Sequence, residues 1–448
     1  YPAVPGARPR FGVRGALRIR VVETSWWHLV AALASLVLAL GAGGHALLYK
    51  RDVRAAIGWV GLILLVPVGG SLLNATTLTC GVLIAVMATI ILIRMFFGLA
   101  STTNVNDGYS WGIWVVVDVF IGSALACGGF CMALLVYIFN KGKYHPLVRP
   151  ALLSSLFGYT LAGAAITVDL GRWWNFWHIF WPGYFNVHSV MFEVAACITL
   201  YIIVMWIEFS PVFLEKMGLR NTHRKLTKVL FFFIALDIVL PMMHQASLGT
   251  MLVVMGGQVH PLWQTPVLPL LYLLSAITLG YGVILFESCV AASAYRRQIE
   301  VPLLNPMARV MLGIMACYLV VRFADLLVRG VLGYAFQFNA AALTFWVENA
   351  CFIAPFLLIG TVEARRNPAR LFVAGLAVML GGILLRLNGF LIAFDTGPGW
   401  SYFPSVPEML VTTGIFTANV LGYIIITRRF PVLPREDTPV LPREDVQL

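Results

Sequence analysis

Residues 111–138 read WGIWVVVDVFIGSALACGGFCMALLVYI, an apolar run in which Asp118 is the one charged side chain. A helix needs about 20 apolar residues to cross the hydrocarbon core of a bilayer. Membrane barrel strands are instead alternating segments of about ten residues. Because lipid offers no hydrogen bonds to the backbone, only helices and closed barrels can span it. The length and continuity of this run therefore predict a transmembrane helix.

Similar apolar runs recur along the chain. They lie at about 78 to 98, 148 to 169, 186 to 206, 226 to 248, 265 to 290, 305 to 327, 340 to 362, 369 to 393 and 403 to 428. Together with 111 to 138 they predict an all-α polytopic membrane protein with ten core transmembrane helices. The composition agrees, since 60% hydrophobic residues, 11% charged residues and a mean hydropathy of +0.86 leave too little polar surface for a water-soluble globule.

The two ends of the chain differ from this core. Weaker apolar segments at about 26 to 47 and 55 to 73 predict up to two extra N-terminal membrane segments. The C-terminus repeats PVLPRED at 431–437 and 439–445, a composition that cannot bury a core. We therefore divide the chain into an N-terminal extension (1–75), a membrane domain (76–430) and a flexible cytoplasmic tail (431–448).

The loops alternate in charge. Basic residues follow helices 2, 4, 6, 8 and 10: Lys141, Lys143, Arg149, Lys216, Arg220, Arg224, Lys225, Arg296, Arg297, Arg365, Arg366, Arg370, Arg428 and Arg429. Cytoplasmic loops carry such an excess, so these loops should be cytoplasmic. The opposite loops are rich in aromatic residues, which suit a membrane interface. The net charge of +11 is thereby explained by orientation in lipid, and no nucleic-acid partner is expected.

Charged side chains inside the apolar runs are the main indication of a functional site, because each costs roughly 3 kcal/mol or more in a bilayer. Asp118 and Glu193 are each predicted about seven residues from the outer helix end, roughly 10 Å deep by helical rise. His188 precedes Glu193 on the fourth helix. Asp169 and Arg172 stand at the outer end of the third helix. These five residues form the candidate site.

Such a group suits quinone chemistry. Quinone and quinol exchange two protons with two electrons, so a pocket needs hydrogen-bonding partners and a protonatable carboxylate or imidazole. The structural alternatives are a salt bridge between Asp169 and Arg172 and helix-packing roles for Asp118 and Glu193. No metal site is expected, because the seven cysteines are scattered singly through apolar runs.

A second set of ionisable residues lies further along the chain. Its members are Asp237, His244, Arg322, Asp325, Glu348 and Arg386. They are predicted either to pair for structure across a second bundle or to form a proton path.

Several stretches together resemble a known family. They are WGIWVVVDVFIGSALACGGF (111–130), YHPLVRPALLSSLFGY (144–159), ITVDLGRWWN (166–175), FNVHSVMFE (185–193), LPMMHQASLG (240–249) and VHPLWQ (259–264). In this order they are similar to the HybB-type membrane subunit of nickel-iron hydrogenases, within the wider NrfD/polysulfide reductase membrane-anchor family. The likeness covers about residues 78 to 430.

The resemblance implies two four-helix bundles plus flanking helices in a bacterial inner membrane. It implies menaquinone or ubiquinone at a site toward the periplasmic side, with no haem. The partners would be a periplasmic ferredoxin-like iron-sulfur subunit and the large and small subunits of a nickel-iron hydrogenase. The family's buried acids and its Asp-x-Gly-Arg element fall on Asp118, Glu193, Asp169 and Arg172. A proton-conducting role would carry over to Glu193, and whether protons cross the membrane stays open.

On this interpretation the chain is not itself the catalytic centre but a subunit of an oxidoreductase complex that transfers electrons between that module and quinone. Two alternatives remain at this point. One is a membrane anchor that binds haem b between His188 and His244. The other is an ion or solute transporter that uses Asp237 and the Arg322 and Asp325 pair.

Overall fold

The computed structural model describes residues 72–294 and 299–433. Ten helices in these ranges are long and apolar enough to cross a membrane. They are α1 (Leu72–Phe97), α2 (Ile113–Ile138), α3 (Val148–Asp169), α4 (Val190–Met217), α5 (Arg220–Met255), α6 (Leu268–Ala294), α7 (Val301–Val328), α8 (Ala340–Ile359), α9 (Pro368–Ile392) and α10 (Val406–Arg429). The prediction of an all-α protein with ten transmembrane helices is confirmed.

The helices pack as two bundles of four. Helices α2 to α5 form one bundle and α6 to α9 the other, and they meet where α2 packs on α6 and α9 and where α5 packs on α6. Helices α1 and α10 pack together and flank the first bundle, α10 against α2 and α3. The arrangement of two four-helix bundles plus flanking helices is therefore the observed one.

Local sequence signals set several helix ends. The side chain of Asn339 accepts a hydrogen bond from the first turn of α8, and Asn367 does so for α9. Ser405 and Glu408 form a reciprocal capping box at the start of α10. Such caps satisfy backbone N–H groups that the helix leaves unpaired. Gly218 ends α4 in a left-handed conformation (φ 70°), which glycine adopts without steric cost.

The two ends of the bundles differ in their loops. We call the end formed by loops 98–112, 170–189, 256–267, 329–339 and 393–405 the aromatic face, and the opposite end the basic face. Three of these loops are tied together on the aromatic face. The amide of Asn104 donates to the Phe403 carbonyl, Asn106 donates to Ser401, and the His260 N–H donates to the Ala393 carbonyl. These bonds fix the beginning of α2.

The predicted termini are described only in part. The segment at 26–47, and all but the last two residues of the segment at 55–73, lie outside the described residues. Of the predicted tail, residues 431–433 are described. Val432 is buried against the first bundle, and the Pro431 carbonyl accepts a hydrogen bond of 3.0 Å from Arg149. The chain thus still packs on the basic face just beyond α10.

Candidate functional site

Asp118 lies where α2 departs from regular geometry. Residues Val116–Ile121 form a π-helical turn, and Cys127 interrupts the helix again further along. The Asp118 side chain is 4% exposed, and neither carboxylate oxygen has a hydrogen-bond partner within the described residues. The hydroxyl of Thr412 on α10 lies beside it. Single π-turns inside helices are frequent at functional sites, and an unpaired buried carboxylate is costly.

Asp118 also borders a cavity of about 200 Å³ between α2, α3, α6, α9 and α10. Its walls are mainly apolar. Its polar lining consists of Asp118 near the aromatic face, Ser154 and Asn419 along the walls, and Glu287 with Tyr423 near the basic face. Ligand sites in proteins are typically apolar clefts with a few placed polar groups, and this cavity has that character.

Asp169 and Arg172 do not form the salt bridge that was one of the structural alternatives. Among the described residues, Asp169 instead accepts a hydrogen bond of 2.7 Å from the Trp114 indole, and Arg172 is exposed. The oppositely charged neighbour of Asp169 is Arg94 of α1, which is fully buried and donates to the Leu170 carbonyl. Asp169 thus connects α1, α2 and α3 at the aromatic face.

Glu408 completes this end of the structure. Its carboxylate accepts hydrogen bonds from the Ser405 N–H (2.7 Å), the Asn104 N–H (3.1 Å) and the Tyr402 hydroxyl (2.7 Å). Burial, together with the Glu408 charge, raises the pKa of Tyr402 well above its usual range, so this phenol stays protonated and donates. These three hydrogen bonds occupy the Glu408 carboxylate at the start of α10, so Glu408 has a structural role.

Glu193 is shallower than expected. Helix α4 begins at Val190 rather than near 186, which places Glu193 in the first turn. It is partly buried and accepts a hydrogen bond of 2.7 Å from Ser247 on α5. His188 precedes the helix and is exposed. Neither residue borders the cavity at Asp118, so the five candidate residues occupy one face of the protein but not one pocket.

The second set of residues contains a buried ion pair. Arg322 lies 3.6 Å from Glu348, and both side chains are fully buried. Glu348 also accepts hydrogen bonds of 2.8 Å from Trp263 and from Asn388. Asp325, four residues before Arg329, pairs with that arginine at 2.7 Å rather than with Arg322. Ion pairs are therefore observed between Arg322 and Glu348 and between Asp325 and Arg329.

Arg386 and His244 lie deeper. Arg386 is fully buried, donates 2.9 Å to Gln245 and 3.3 Å to Ser275, and lies 5.0 Å from the centre of the Tyr272 ring. His244 is fully buried, with its ring centre 5.7 Å from that of Tyr159. These contacts place Arg386 at the junction of the two bundles.

Asp237 stands further toward the basic face. It is fully buried and lies beside Glu208 and Tyr201, and the Tyr201 ring contacts Tyr159 at 4.5 Å between centres. The polar interior thus continues from Glu208 through Asp237, Tyr201 and Tyr159 toward Gln245 and Arg386. We call this set of six residues the polar file.

The residues present fit a quinone better than a metal. The described part of the chain holds no cluster of three His, Cys, Asp or Glu residues suited to a metal ion. His188 is exposed while His244 is enclosed beside Tyr159, so the two imidazoles share neither an environment nor the cavity. By contrast, Asp118 at one end of an apolar cavity can, when protonated, donate a hydrogen bond to a carbonyl oxygen of a ring, and the apolar walls suit a hydrocarbon chain.

Sequence reasoning missed several of these groups. Arg94 is the one charged residue in α1 from Thr79 to Phe97, so the cost of a charge in lipid could have singled it out. Glu287 stands near a helix end, where a charge is easily solvated, so its charge alone does not single it out, yet it borders the cavity. Gln245, Trp114 and Thr412 carry no charge, so no rule about buried charge could single them out.

Comparison with known proteins agrees with this architecture. Residues 101–394 match the family model for polysulphide reductase, NrfD. The chain is 40% identical over 375 residues to the probable Ni/Fe-hydrogenase 2 b-type cytochrome subunit of Escherichia coli K12, covering 82% of this chain and 95% of that protein.

Two more distant relatives share the same region. The integral membrane subunit of menaquinone reductase from Nitratidesulfovibrio vulgaris is 24% identical, over 75% of this chain and 86% of that protein. A selenate reductase subunit from Mesobacillus selenatarsenatis is 22% identical, over 73% of this chain and 87% of that protein. With ten apolar helices in its described part and a family match over residues 101–394, this chain is a multi-pass membrane protein of the polysulphide reductase, NrfD family.

Proposed function

We propose that the protein is the quinone-reactive membrane subunit of a respiratory oxidoreductase complex. The observation that carries the proposal is the buried, unpaired carboxylate of Asp118 at the end of an apolar cavity. The names of the relatives support it, since one is a hydrogenase subunit and another is a menaquinone reductase subunit. The quinone would be menaquinone or ubiquinone.

The site would face the periplasm of a bacterial inner membrane. The excess of Lys and Arg on the basic face supports a cytoplasmic position for that face. The aromatic face is then periplasmic, and Asp118 lies five residues beyond the start of α2 at Ile113, roughly 8 Å in by helical rise. A ring at that depth is close to a redox partner on the periplasmic side.

The partners that suit this position are a periplasmic ferredoxin-like iron-sulfur subunit and the large and small subunits of a nickel-iron hydrogenase. The Escherichia coli relative is named as a Ni/Fe-hydrogenase subunit, which supports a hydrogenase as the partner enzyme. The exposed residues of the loop between α3 and α4, which include Arg172, Trp174 and His188, offer a docking surface next to the site. The chain would then pass electrons onward without holding the catalytic metal.

The chemistry assigned to this chain is proton exchange and positioning. A quinone accepts two electrons and two protons to become a quinol, and the reverse reaction releases them. Asp118 would hold a proton at its carboxyl group and donate a hydrogen bond to a carbonyl oxygen, with Thr412 as a second donor. Arg172 and His188 belong to the aromatic face, and Asp169 and Glu193 lie at the helix ends next to it, so we assign these four residues to proton exchange with the periplasm.

The test replaces Asp118 with Asn in the intact complex, since Asn keeps the shape but cannot exchange a proton. We expect quinone turnover to fall by about 100-fold or more, in the range typical for a general acid. Reduction of a soluble dye by the partner module should be unchanged. Asp107→Asn, at an exposed acid on the aromatic face, is the matched control. Full quinone activity in Asp118→Asn would show that quinone does not react at Asp118.

A haem-binding anchor is the second candidate, because the Escherichia coli relative is named a b-type cytochrome subunit. The separate environments of His188 and His244 do not support a haem between them. A visible spectrum of the purified, reduced protein separates the two functions. An α-band in the spectrum would favour the cytochrome, and our proposal predicts none.

A further inference from the structure

Helices α6 and α10 border the same cavity without packing closely against one another. Val283, Phe286 and Val290 line it from α6, and Phe416 and Val420 line it from α10. Their main packing partners are elsewhere: α6 contacts α2, α5, α7 and α9, while α10 contacts α1, α2 and α3. A gap with apolar edges therefore separates the second bundle from α10.

The opposite wall of the cavity is closed. There α2 and α3 meet through small residues, and Ala126, Gly158 and Ala162 are buried. A Cβ atom added at Gly158 would lie 2.5 Å from that of Ala126, so no space remains between these two helices. Phe286, Val290, Phe416 and Val420 are instead all partly exposed. Access to the cavity thus lies on the side of α6 and α10.

A polar contact limits the gap toward the basic face. The Tyr423 hydroxyl of α10 donates a hydrogen bond to Glu287 of α6. At the other end of the cavity, Asp118 and Thr412 face each other across α2 and α10. The apolar part of the gap lies between the level of Asp118 and the Tyr423–Glu287 contact, so the opening toward the surrounding lipid has a limited length.

We propose that the gap between α6 and α10 is a lateral portal that admits a polyprenyl quinone from the bilayer and holds its hydrocarbon chain while the ring is at Asp118. This inference rests on the proposed function. A polyprenyl quinone stays dissolved in lipid, so its route to a buried carboxylate has to cross a gap between helices. The apolar side chains at the edges of the gap match a hydrocarbon chain and contribute no hydrogen bonds that would stop the ring there.

The test narrows the portal from each side. Val283→Trp on α6 and Val420→Trp on α10, which both line the cavity, should each raise the KM for a long-chain quinone by about tenfold or more. The KM for a homologue with a single isoprene unit should rise less, because its ring still crosses the gap but its short chain does not remain there. Ile425→Trp is the matched control, at a position on α10 that is 40% exposed and outside the cavity.

Binding provides a second readout that does not depend on turnover. A long-chain quinone with a photoreactive azido group, added to the complex in vesicles, should label peptides of α6 and α10, and Val420→Trp should reduce that labelling. Val420→Ala, which widens the gap, should retain it. Turnover of the single-isoprene homologue by the Trp variants shows whether they are folded, and Val420→Ala tests the position without added bulk.

Three results would contradict the proposal that this gap is a portal. They are an unchanged KM with unchanged labelling in both Trp variants, equal losses for long and short chains, or the same effect in Ile425→Trp. A failure of the proposed function looks different, because the unmodified complex would then reduce neither quinone. In that case the labelling pattern alone decides whether the gap admits the chain.

Discussion

Arg322 and Glu348 show how charge is kept inside this protein. Both side chains are fully buried, and the Glu348 carboxylate receives two further hydrogen bonds from Trp263 and Asn388. The guanidinium of Arg322 also lies 5.5 Å from the centre of the Phe345 ring. A buried pair is not strongly stabilising overall, but the loss of one partner leaves an uncompensated charge. Arg322 and Glu348 therefore depend on each other.

We expect Arg322→Leu to destabilise the protein by roughly 3–5 kcal/mol, because Glu348 loses its counter-ion in a low-dielectric interior. Glu215→Leu is the matched control, since Arg149 and Glu215 form an exposed pair (38% and 46%) that is worth about 0–1 kcal/mol. Thermal unfolding of the detergent-solubilised protein measures both. Equal shifts in Tm for the two variants would contradict the buried role.

The amino-acid sequence predicted which charged side chains are buried better than it predicted their partners. The cost of charge in lipid singled out Asp118, Asp237, Glu348 and Arg386, all of which are buried. Spacing along the helix suggested Arg322 as the partner of Asp325, but the partner is Arg329, one turn further along the chain. Spacing also suggested a salt bridge between Asp169 and Arg172, although Asp169 accepts its hydrogen bond from Trp114 in another helix. Tertiary neighbours of this kind are not encoded by spacing along one helix.

At the scale of the element, α2 is the helix on which the site depends. The π-turn at Val116–Ile121 changes the direction of Asp118, and a break at Cys127 follows. Apolar length predicted that this helix exists, but periodicity does not reveal single turns of different pitch. Likewise, the apolar run near 186 predicted an early start for α4, whereas the helix begins at Val190. Glu193 is consequently closer to the surface than the sequence indicated.

Close contact between α2 and α6 depends on Gly280. A Cβ atom at this position would lie 2.7 Å from the Cys127 carbonyl oxygen, at the break in α2. We expect Gly280→Ala to force the two bundles apart and to cost about 1–3 kcal/mol, as overpacking does. The midpoint of thermal unfolding measures this cost.

Gly313 supplies the control for that substitution. It is exposed on α7, and a Cβ atom there would meet nothing within 4 Å. Gly313→Ala should leave stability unchanged or raise it slightly. If Gly280→Ala is equally well tolerated, the close approach of α2 and α6 is not required for the junction between the bundles.

At the scale of the whole molecule, the polar file runs through the first bundle from near the basic face to the junction of the two bundles. It runs from Glu208 and Asp237 near the basic face to Gln245 and Arg386, where the bundles meet. Beyond Arg386, the buried Glu348 and Trp263 lie toward the aromatic face. Buried ionisable residues in membrane helices often mark proton paths. We therefore extend the proposed function to proton transfer across the membrane along this file.

Asp237→Asn should reduce the number of protons moved per electron in sealed vesicles, because an amide cannot exchange the proton. Electron transfer to quinone should stay within about twofold of the unmodified complex, since Asp118 is untouched. Glu215→Gln, at an exposed acid on the basic face, is the control. An unchanged number of protons per electron in Asp237→Asn would show that the file serves structure alone.

The central claim is that a quinone ring binds beside Asp118, inside the cavity between α2, α3, α6, α9 and α10. The most direct measurement is a density map of the intact complex in nanodiscs that contain its quinone. We predict the ring within hydrogen-bonding distance of the Asp118 carboxyl group, with its chain extending between α6 and α10. A ring located instead beside Glu193 and Ser247, with the cavity filled by lipid, would contradict the account.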